Sequence, residues 1–509
     1  MGNLIFHFSF MLFMLYLMLC PSLCHSNFTC DELALLALKS SVRDPYHRLE
    51  NWSSSSSICN WSGVTCDSKH KRVRILSLAK MDLNGTLPSQ IGDMSFLVKL
   101  DLNSNNLYGK LPKELFQLQR LEILNLSYNA FSGEIPSWMG SLFNLQQLIL
   151  GNNSFGSIIP PSISNLSMLE TLDLSSNSLQ GSIPFHIGRL QHLKTLRLSV
   201  NKLSGIIPPP ISNISSLELI SLPVNVLQGP IPIEMNKLTK LKIIYLEDNK
   251  LTGQIPRRDI PKEISNITNA NKIYLDNNQL SRHIPKGIGK LTMLQELSLA
   301  NNNFEGNIPI EIRSLTNLKI IDLSVNQLFG HIPRGIGNLT VLQDLNLEIN
   351  NLEGSISMEI GNLQQLETHL ETLILSKNPL QMKLPKSIGN LSDSLQTLMI
   401  DFCGINGSIP LEIGNLSNLV QLSFAGNVLN GLIPTTISNL QDLQYLNLVG
   451  NELDGLIVDE LCDVRTIAYL YLSQNKFSGA VPSCLGNLMS LQELYLGSNK
   501  LISEIPSSF

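Results

Sequence analysis

The chain has 509 residues, 43% of them hydrophobic, with a formal net charge of −5 and a pI near 6.0. This mildly acidic balance offers no electrostatic basis for nucleic-acid binding, which depends on basic patches. A globular protein of this length would contain several domains, whereas a fixed sequence period would indicate a single elongated array.

The N-terminus carries the apolar run LIFHFSFMLFMLYLMLC, followed by PSLCHS. The run and the small residues after it predict a secretory signal peptide over residues 1–24, with cleavage near Ser22 to Ser26. An uncleaved membrane anchor is the alternative, because the run is near the lower length limit for a span. We therefore expect the chain to enter the secretory pathway.

Residues 25–72 differ in composition from the rest of the chain. In DELALLALKSSV, the residues Leu33, Leu36 and Ala37 have helical spacing. The end of a repeat array exposes an apolar cross-section that must be covered, so this segment is interpreted as an N-terminal cap.

The cap also contains NWSSSSSICNWSGVTC, in which Trp52 and Trp61 would cover the apolar end. A disulfide between Cys59 and Cys66 is expected here. A metal site is disfavoured, because only two Cys and no positioned His are available.

The remainder is organised around a 24-residue unit, LETLDLSSNSLQGSIPFHIGRLQH, which begins at Leu169. Leu172 and Leu174 alternate with Asp173, the period-2 pattern of one short strand with aliphatic side chains inward. Asn177 follows where the chain must bend inward. Its amide offers a donor and an acceptor to backbone groups left unpaired by the turn, which would join one coil to the next.

The position of this asparagine, called the ladder position below, recurs in about 18 units over residues 73–509. Successive ladder positions are 24 residues apart, except for separations of 29, 28 and 25 before Asn278, Asn378 and Cys403. A fixed period of this size indicates a solenoid. The ladder positions are Met81, Asn105, Asn129, Asn153, Asn177, Asn201, Asn225, Asn249, Asn278, Asn302, Asn326, Asn350, Asn378, Cys403, Asn427, Asn451, Asn475 and Asn499.

The pattern L-x-x-L-x-L-x-x-N-x-L resembles the leucine-rich repeat, and the added G-x-I-P of LSGEIP and LQGSIP resembles its plant extracellular subtype. The cap is similar to the plant leucine-rich-repeat N-terminal domain through ALLALK and C-x-W-x-G-V-x-C. This resemblance implies an α/β repeat solenoid, a curved right-handed superhelix with a parallel β-sheet on its concave face.

The cap, the period and the phrase IPxxIGNLxxL together resemble plant leucine-rich-repeat receptor-like kinase ectodomains. The most similar group includes the flagellin-sensing, elongation-factor-sensing and rice bacterial-blight receptors. The resemblance implies recognition of a peptide or protein ligand in immune or developmental signalling, with a leucine-rich-repeat co-receptor kinase as a partner. It also implies an apoplastic or cell-surface location, at the plasma membrane if the full-length product carries a span.

The chain stops at Phe509 inside a repeat, so we expect a truncated ectodomain without a C-terminal cap, membrane span or kinase domain. The alternatives are a non-signalling decoy receptor or a soluble apoplastic inhibitor of a pathogen enzyme, similar to polygalacturonase-inhibiting proteins. An uncovered last coil is expected to associate or fray. The aliphatic residues concerned are Leu491, Leu494, Leu496, Leu501 and Ile505.

Residues that alternate with the inward Leu, and the two before each ladder position, should face outward on the concave sheet. Two groups of aromatic and acidic residues occupy such positions. The group in repeats eight and nine comprises Tyr245, Glu247, Asp248, Tyr274, Asp276 and Asn277. The group in repeats 16 to 18 comprises Tyr445, Tyr469, Tyr471 and Tyr495. Rigid rings suit peptide recognition, and the carboxylates favour Lys or Arg in the ligand, although Tyr is also simply a good strand residue.

Four further cysteines lie outside the Cys59 to Cys66 pair and the predicted signal peptide. Cys462 and Cys484 are 22 residues apart, so they fall on adjacent coils and could form a bridge. Cys403 replaces a ladder Asn and is expected to be a buried free thiol, whereas Cys30 has no evident partner.

N-glycosylation is predicted at 13 N-x-[ST] sequons. Five of them lie 12 residues after a ladder position, and Asn266 joins this phase once the five-residue insertion around Arg257 to Pro261 is subtracted. Glycans at these six sites would line one flank and leave the strand-lined face open. The alternative is that the consensus GNL creates sequons by chance. The 13 sites are Asn27, Asn51, Asn60, Asn84, Asn125, Asn152, Asn165, Asn213, Asn266, Asn338, Asn390, Asn406 and Asn415.

Motifs for catalysis are absent from the sequence. DFCG at residues 401–404 occupies strand and ladder positions of a repeat, and the nine His include no H-E-x-x-H. We therefore expect no enzymatic activity, no cofactor and no metal site.

Overall fold

The structure, a computed structural model, describes residues 28–53, 56–254, 267–355, 370–502 and 506. The predicted signal peptide lies outside these residues, as do Asn27, Asn266 and Ile505. Two compact units make up the chain, Met1–Leu227 and Gln228–Phe509.

In the first unit, each repeat contributes one strand of three residues to a main sheet, except the first repeat, whose strand has five residues. The cap contributes one further strand, Val64–Cys66. In the repeat around Leu172, this leucine is fully buried while Thr171 and Asp173 on either side are half-buried, as the period-2 pattern predicts. The first two strands pair antiparallel and the others pair parallel in sequence order. The strands are Val64–Cys66, Val73–Ser77, Lys99–Asp101, Ile123–Asn125, Gln147–Ile149, Thr171–Asp173, Thr195–Arg197 and Leu219–Ser221.

The second unit continues the same pattern in a parallel main sheet. Its strands pair residue for residue, including Tyr245 with Tyr274, although these two tyrosines are 29 residues apart in sequence. The insertion before the second tyrosine is therefore accommodated without a shift in register. The strands are Ile243–Tyr245, Lys272–Tyr274, Glu296–Ser298, Ile320–Asp322, Asp344–Asn346, Thr372–Ile374, Thr397–Met399, Gln421–Ser423, Tyr445–Asn447, Tyr469–Tyr471 and Glu493–Tyr495.

The ladder asparagines join consecutive coils, as predicted. Asn177 Nδ2 donates to the carbonyl of Leu150 in the preceding coil at 3.1 Å, and to those of Leu174 and Ser175 in its own coil at 3.2 and 3.0 Å. Its Oδ1 accepts from the backbone N–H of Phe155 at 2.9 Å. One side chain thus satisfies backbone groups on both sides of the turn, which an aliphatic residue could not do.

The residue before the ladder position has a left-handed backbone in most repeats, a feature for which the sequence carries no signal. β-Branched residues occupy it at Val200, Val224, Val325 and Ile349, with φ between 51° and 54°. Such a residue in this region is an outlier, and the conformation costs an L-residue about 1–2 kcal/mol. The hydrogen bonds of the ladder hold the turn in place despite this cost.

The sequence predicted one strand in each repeat, but most repeats have a second short strand just after the ladder position. Here the prediction was incomplete, because L-x-G segments lack the alternation that marks a longer strand. Gly181 has a φ of 75°, and a Cβ there would lie 2.9 Å from the Cγ2 of Ile158. The cap strand Val42–Arg43 pairs antiparallel with the first of these second strands. The second strands are Asn84–Thr86, Asn106–Gly109, Ala130–Glu134, Ser154–Gly156, Gln180–Ser182, Lys202–Gly205, Val226–Gly229, Lys250–Gln254, Gln279–Arg282, Asn303–Gly306, Gln327–His331, Asn351–Glu353, Asn406–Gly407, Val428–Gly431, Glu452–Gly455, Lys476–Gly479 and Lys500–Leu501.

The return path of each coil contains a short 3-10 helix that follows the proline of the G-x-I-P segment in most repeats. In the repeats, its central Ile, Leu or Met is buried and, with the leucines of the main strand, fills the interior of the coil. The 3-10 helices are Ile58–Asn60 in the cap, then Ser89–Asp93, Lys113–Gln117, Ser137–Ser141, Pro161–Asn165, Phe185–Arg189, Pro209–Asn213, Ile233–Lys237, Lys286–Lys290, Ile310–Ser314, Arg334–Asn338, Lys386–Asn390, Leu411–Asn415, Thr435–Asn439, Asp459–Asp463 and Ser483–Asn487.

The cap begins with the α-helix Phe28–Ser41, which buries Ala34, Leu35 and Leu38. The helical spacing of Leu33, Leu36 and Ala37 is confirmed, but these residues are not the buried stripe, since Leu33 is 40% exposed. A segment this rich in Leu and Ala offers two overlapping stripes at helical spacing, and only packing decides which one is buried.

The two tryptophans of the cap are buried and stacked, with ring centroids 5.5 Å apart. The indole N–H of Trp52 donates to the carbonyl of Ser62 at 3.0 Å, and that of Trp61 donates to Ser56 Oγ at 2.9 Å. Both polar tips are satisfied, so the rings can fill the cap interior without an unpaired donor.

A buried ion pair ties the cap helix to the first repeat. Asp31 is fully buried and accepts from Arg72 Nε and Nη2, both at 2.8 Å, and from the backbone N–H of Val73 at 2.8 Å. The guanidinium also lies 4.8 Å from the ring centroid of Phe96. Removing either charge would leave the other uncompensated in the interior.

Disulfides join Cys59 to Cys66, with Cα atoms 5.4 Å apart, and Cys462 to Cys484, with Cα atoms 5.8 Å apart. The first closes a short loop of the cap, and the second connects the 3-10 helices of two consecutive coils.

Cys403 is a buried free thiol, as expected, and burial raises its pKa to about 11. Its Sγ donates to the carbonyls of Leu375 and Asp401 at 3.3 and 3.2 Å, in place of the amide of a ladder asparagine. Cys30 is disulfide-bonded, so the expectation that it has no partner was wrong.

Candidate ligand-binding face

The open face of the main sheet carries the side chains that flank each buried aliphatic residue. In the second unit, Ile244 and Ile273 are buried, and Tyr245 and Tyr274 beside them are half-buried on this face. Because the strands pair in register, the two rings meet edge to face with centroids 5.3 Å apart. The predicted neighbouring tyrosines therefore form a direct aromatic pair.

Tyr274 is held in place by hydrogen bonding. Its hydroxyl donates to Glu296 Oε2 at 2.5 Å, and Lys272 Nζ lies 2.8 Å from Glu296 Oε1. Burial, followed by the hydrogen bond to Glu296, raises the pKa of Tyr274 above its usual value. Burial opposes ionisation of Glu296, but the hydrogen bonds from Lys272 and Tyr274 outweigh it and lower the pKa of this carboxyl. The side chain of Tyr274 is therefore neutral, and its orientation is fixed before a ligand binds.

Three carboxylates lie beside the tyrosine pair. Burial raises the pKa of Glu247 to about 7, and repulsion from Asp276 and Asp248 adds to this shift. Burial also raises the pKa of Asp276. Glu247 Oε2 and Asp276 Oδ1 are enclosed and accept no hydrogen bond from any residue that the structure describes. We call Tyr245, Glu247, Asp248, Tyr274 and Asp276 the acidic-tyrosine cluster.

Two of the predicted residues in this region are exposed, unlike the enclosed carboxylate oxygens. Asp248 and Asn277 precede ladder positions, have left-handed backbones with φ of 54° and 53°, and are exposed. Asn277 Oδ1 accepts from Asn301 Nδ2 at 2.7 Å, which links it to the next repeat. These two side chains line the rim of the cluster.

The second predicted group is also brought together. Tyr471 is central, with its ring centroid 5.5 Å from that of Tyr445, 6.4 Å from that of Tyr469 and 4.9 Å from that of Tyr495. Its hydroxyl donates to Glu493 Oε2 at 2.6 Å, and this hydrogen bond is the main cause that raises the pKa of Tyr471 to about 12.

Several residues around this second group were not predicted from the sequence. Asp401, Phe402 and Glu493 join it because the register of the sheet aligns repeats 14 to 18 along one face. Phe402 is 60% exposed and has a left-handed backbone, since it precedes Cys403 at the ladder position. An aromatic residue before a ladder position could have signalled an exposed ring.

Family models match three parts of the chain. The leucine-rich repeat N-terminal domain matches residues 30–67, and a leucine-rich-repeat region matches residues 368–507. Single leucine-rich repeats match residues 96–118, 120–142, 144–166, 168–190, 192–214, 293–315 and 317–339.

Curated relatives include plant receptor kinases from Arabidopsis thaliana. One probable LRR receptor-like serine/threonine-protein kinase is 47% identical over 76 residues, which are 15% of this chain and 8% of the relative. The LRR receptor-like serine/threonine-protein kinase EFR is 40% identical over 93 residues, 18% of this chain and 9% of EFR. The chain thus spans a small part of these proteins.

Solved structures match over a much greater length. The LRR ectodomain of the Arabidopsis thaliana receptor kinase GASSHO1/SCHENGEN3 is 34% identical with a TM-score of 0.72, covering 94% of this chain and 62% of that one. The Arabidopsis receptor kinase HAESA is 30% identical with a TM-score of 0.66, covering 94% of this chain and 91% of that one. This chain belongs to the leucine-rich-repeat ectodomains of plant receptor kinases. The kinase in the relatives' names refers to domains outside this leucine-rich-repeat chain.

The predicted glycosylation sites of the leucine-rich-repeat chain fall into two groups by exposure. The sites Asn125, Asn152 and Asn406 are partly buried, and Asn125 ends a main-sheet strand. Five of the sites that share one phase each end a 3-10 helix, which places them on the return path and away from the open face. The exposed sites are Asn51, Asn60, Asn84, Asn165, Asn213, Asn338, Asn390 and Asn415. Glycosylation at all 13 sequons stays a prediction.

Within the described parts of the leucine-rich-repeat chain, no group of three His, Cys, Asp or Glu side chains is arranged to hold a metal ion. No helix found there is both long enough and apolar enough to cross a membrane.

Proposed function

We propose that this leucine-rich-repeat ectodomain recognises an extracellular peptide or protein segment carrying Lys or Arg, and that the acidic-tyrosine cluster is the binding site. The observation that carries the proposal is the pair of enclosed oxygens, Glu247 Oε2 and Asp276 Oδ1, beside the edge-to-face rings of Tyr245 and Tyr274. The rings supply contact area and the carboxylates supply selectivity for a cation.

The enclosed carboxylate oxygens favour a positively charged partner. A buried acceptor without a hydrogen-bond donor costs about 1–3 kcal/mol, and more when it is charged. A ligand ammonium or guanidinium at the cluster would lower the pKa values of Glu247 and Asp276, because an opposite charge stabilises the ionised form. A neutral or acidic ligand would not have this effect.

The tyrosine pair is suited to act as an anchor. Tyr274 is fixed by its hydrogen bond to Glu296, so little rotamer freedom remains to be lost on binding. A well-packed aromatic anchor of this kind contributes about 2 kcal/mol or more to an interface. Truncation of both rings should therefore weaken binding about 30-fold or more.

Two similar solved structures support recognition of a peptide or protein ligand by this chain. The GASSHO1/SCHENGEN3 ectodomain is in complex with CASPARIAN STRIP INTEGRITY FACTOR 2, and HAESA is in complex with the peptide hormone IDA and the co-receptor SERK1. By analogy, we place this chain at the cell surface or in the apoplast, in plant immune or developmental signalling. A leucine-rich-repeat co-receptor kinase is the corresponding partner.

The proposal can be tested by selecting random linear peptides displayed on phage against the purified chain. Peptides rich in Lys or Arg should be enriched, and their binding should fall about 30-fold or more in the variant Tyr245→Ala/Tyr274→Ala. The matched control is Tyr108→Ala/Tyr128→Ala, which removes two exposed tyrosines elsewhere. Enrichment of peptides without basic residues, or equal binding by both double variants, would refute the proposal.

A further inference from the structure

A pocket on the open face of repeats 14 to 18 has three aromatic walls. The strands Tyr445–Asn447, Tyr469–Tyr471 and Glu493–Tyr495 pair in register, which aligns Tyr471 with Tyr495. The ring of Tyr445 stands perpendicular to that of Tyr471, with an interplanar angle of 88°, while Tyr495 is inclined to Tyr471 by 37°. Three rings in these orientations present both faces and edges to one space.

Two repeats in this region lack a side chain before the ladder position. Gly426 and Gly450 occupy this position with φ of 65° and 68°. A Cβ on Gly450 would be 3.6 Å or more from its neighbours, and Phe402 lies over Gly426. Phe402 forms an end wall, and the lining is completed by Ala425, Asn447, Val449 and Ser473 around a cavity of about 540 Å³.

Two carboxylates lie at the edges of this cavity. Glu493 accepts the hydroxyl hydrogen of Tyr471. Asp401 Oδ1 accepts from Ser423 Oγ at 2.5 Å and from the backbone N–H of Ala425 at 2.7 Å. The lining within the described residues includes no Lys, Arg or His. Lys377, which interacts with Asp401, is paired with Glu348 at 3.0 Å.

We propose that this pocket, formed by Asp401, Phe402, Tyr445, Tyr471, Glu493 and Tyr495, binds the guanidinium of an arginine in the ligand. Aromatic faces attract a cation through the ring quadrupole, and a planar guanidinium can stack on a ring while it donates to carboxylates at its edge. An anion would be repelled by both acids. An apolar group would exclude water from them without replacing its hydrogen bonds.

The proposal rests on the proposed function, because it assigns a second contact to the same ligand. Seven strand steps separate Lys272–Tyr274 from Tyr445–Asn447 in the main sheet. At about 4.8 Å per step this is about 34 Å, the length of about ten extended residues. A ligand filling both sites would carry a basic residue and an arginine about ten residues apart.

The pocket can be tested without the natural ligand, by fluorine NMR of the chain labelled with 3-fluorotyrosine. The probe is N-acetyl-arginine amide, and N-acetyl-citrulline amide is its neutral match. The resonances of Tyr445, Tyr471 and Tyr495, assigned from Tyr→Phe variants, should respond to the arginine probe at about tenfold lower concentration than to citrulline. Equal response to both probes, or no response of these resonances, would overturn the proposal.

Variants separate the pocket from the acidic-tyrosine cluster. Glu493→Gln should weaken arginine binding at the pocket several-fold, whereas Glu452→Gln, an exposed residue of the second strands with the same charge change, should leave it unchanged. Should Tyr274 respond to arginine but the pocket not, this inference fails while the proposed function stands. Should the pocket respond to arginine but Tyr274 not, the pocket inference stands and the acidic-tyrosine cluster is not the binding site.

Discussion

Replacing a single ladder asparagine should have an effect that can be followed at one amide. Asn302 Nδ2 donates to the carbonyls of Leu275, Leu299 and Ala300 at 2.9, 3.2 and 3.0 Å, and its Oδ1 accepts from the N–H of Leu280 at 3.0 Å. In Asn302→Ala the carbonyls keep other partners, since neighbouring ladder asparagines donate to two of them and a backbone N–H donates to the third. The N–H of Leu280 loses its acceptor.

The expected loss of stability in Asn302→Ala follows from these lost hydrogen bonds. An orphaned buried N–H costs about 1–3 kcal/mol, and each lost bond to a carbonyl that remains partly satisfied adds about 0.5 kcal/mol or more. We expect Asn302→Ala to lower the free energy of unfolding of its part of the array by about 3 kcal/mol. The matched control is Asn303→Ala, the next residue, which is exposed and should change stability by less than about 0.5 kcal/mol.

Hydrogen exchange at single-residue resolution is the appropriate assay, because repeat arrays can unfold locally. The amide of Leu280 should lose protection in Asn302→Ala and keep it in Asn303→Ala. If Leu280 stays as protected as in the wild type and the stability loss is below about 1 kcal/mol, the ladder bonds do not hold the coils together as described.

Three further outcomes are expected. Val224→Asn should stabilise the protein by about 1 kcal/mol in urea unfolding, since Asn tolerates the left-handed backbone better, whereas the exposed neighbour Val226→Asn should not stabilise it. Replacing both Cys462 and Cys484 with Ser should lower the free energy of unfolding, measured in urea, by about 3 kcal/mol, because the disulfide closes a loop with a sequence separation of 22 residues. The free energy of unfolding should fall as pH rises from about 4.5 to about 7, because Glu247 loses its proton in the unfolded chain but keeps it in the folded protein. Unfolding curves measured at several pH values should show a weaker pH dependence in Glu247→Gln.

The regular part of the fold could be predicted from the sequence because one period fixes several features at once. The positions of Leu172 in the strand and Asn177 at the bend have the same role in nearly every coil. A correct interpretation of one repeat therefore applies to the whole array. The cap helix shows the limit of this approach. Leu33 and Leu35 are equally apolar, and only contact with the first repeat decides which one is buried.

The candidate sites were predictable to the extent that they follow the period. Tyr245 and Tyr274 were placed together because each occupies the same position relative to its ladder asparagine, and the register of the sheet agrees. The roles of Asp401 and Phe402 were not predicted, because they depend on the missing side chain at Gly426 and on ring positions. Burial of the carboxylates could likewise be determined only in three dimensions.

The central claim is that enclosed carboxylates of the acidic-tyrosine cluster bind a basic ligand segment, and calorimetric titration tests it most directly. A basic peptide selected on phage should bind Glu247→Gln/Asp276→Asn about tenfold or more weakly than the wild type, with a smaller loss of affinity on raising the salt concentration. The control Glu305→Gln/Glu452→Gln, which removes two exposed charges elsewhere, should bind as the wild type does. Unchanged affinity and unchanged salt dependence in Glu247→Gln/Asp276→Asn would contradict the claim.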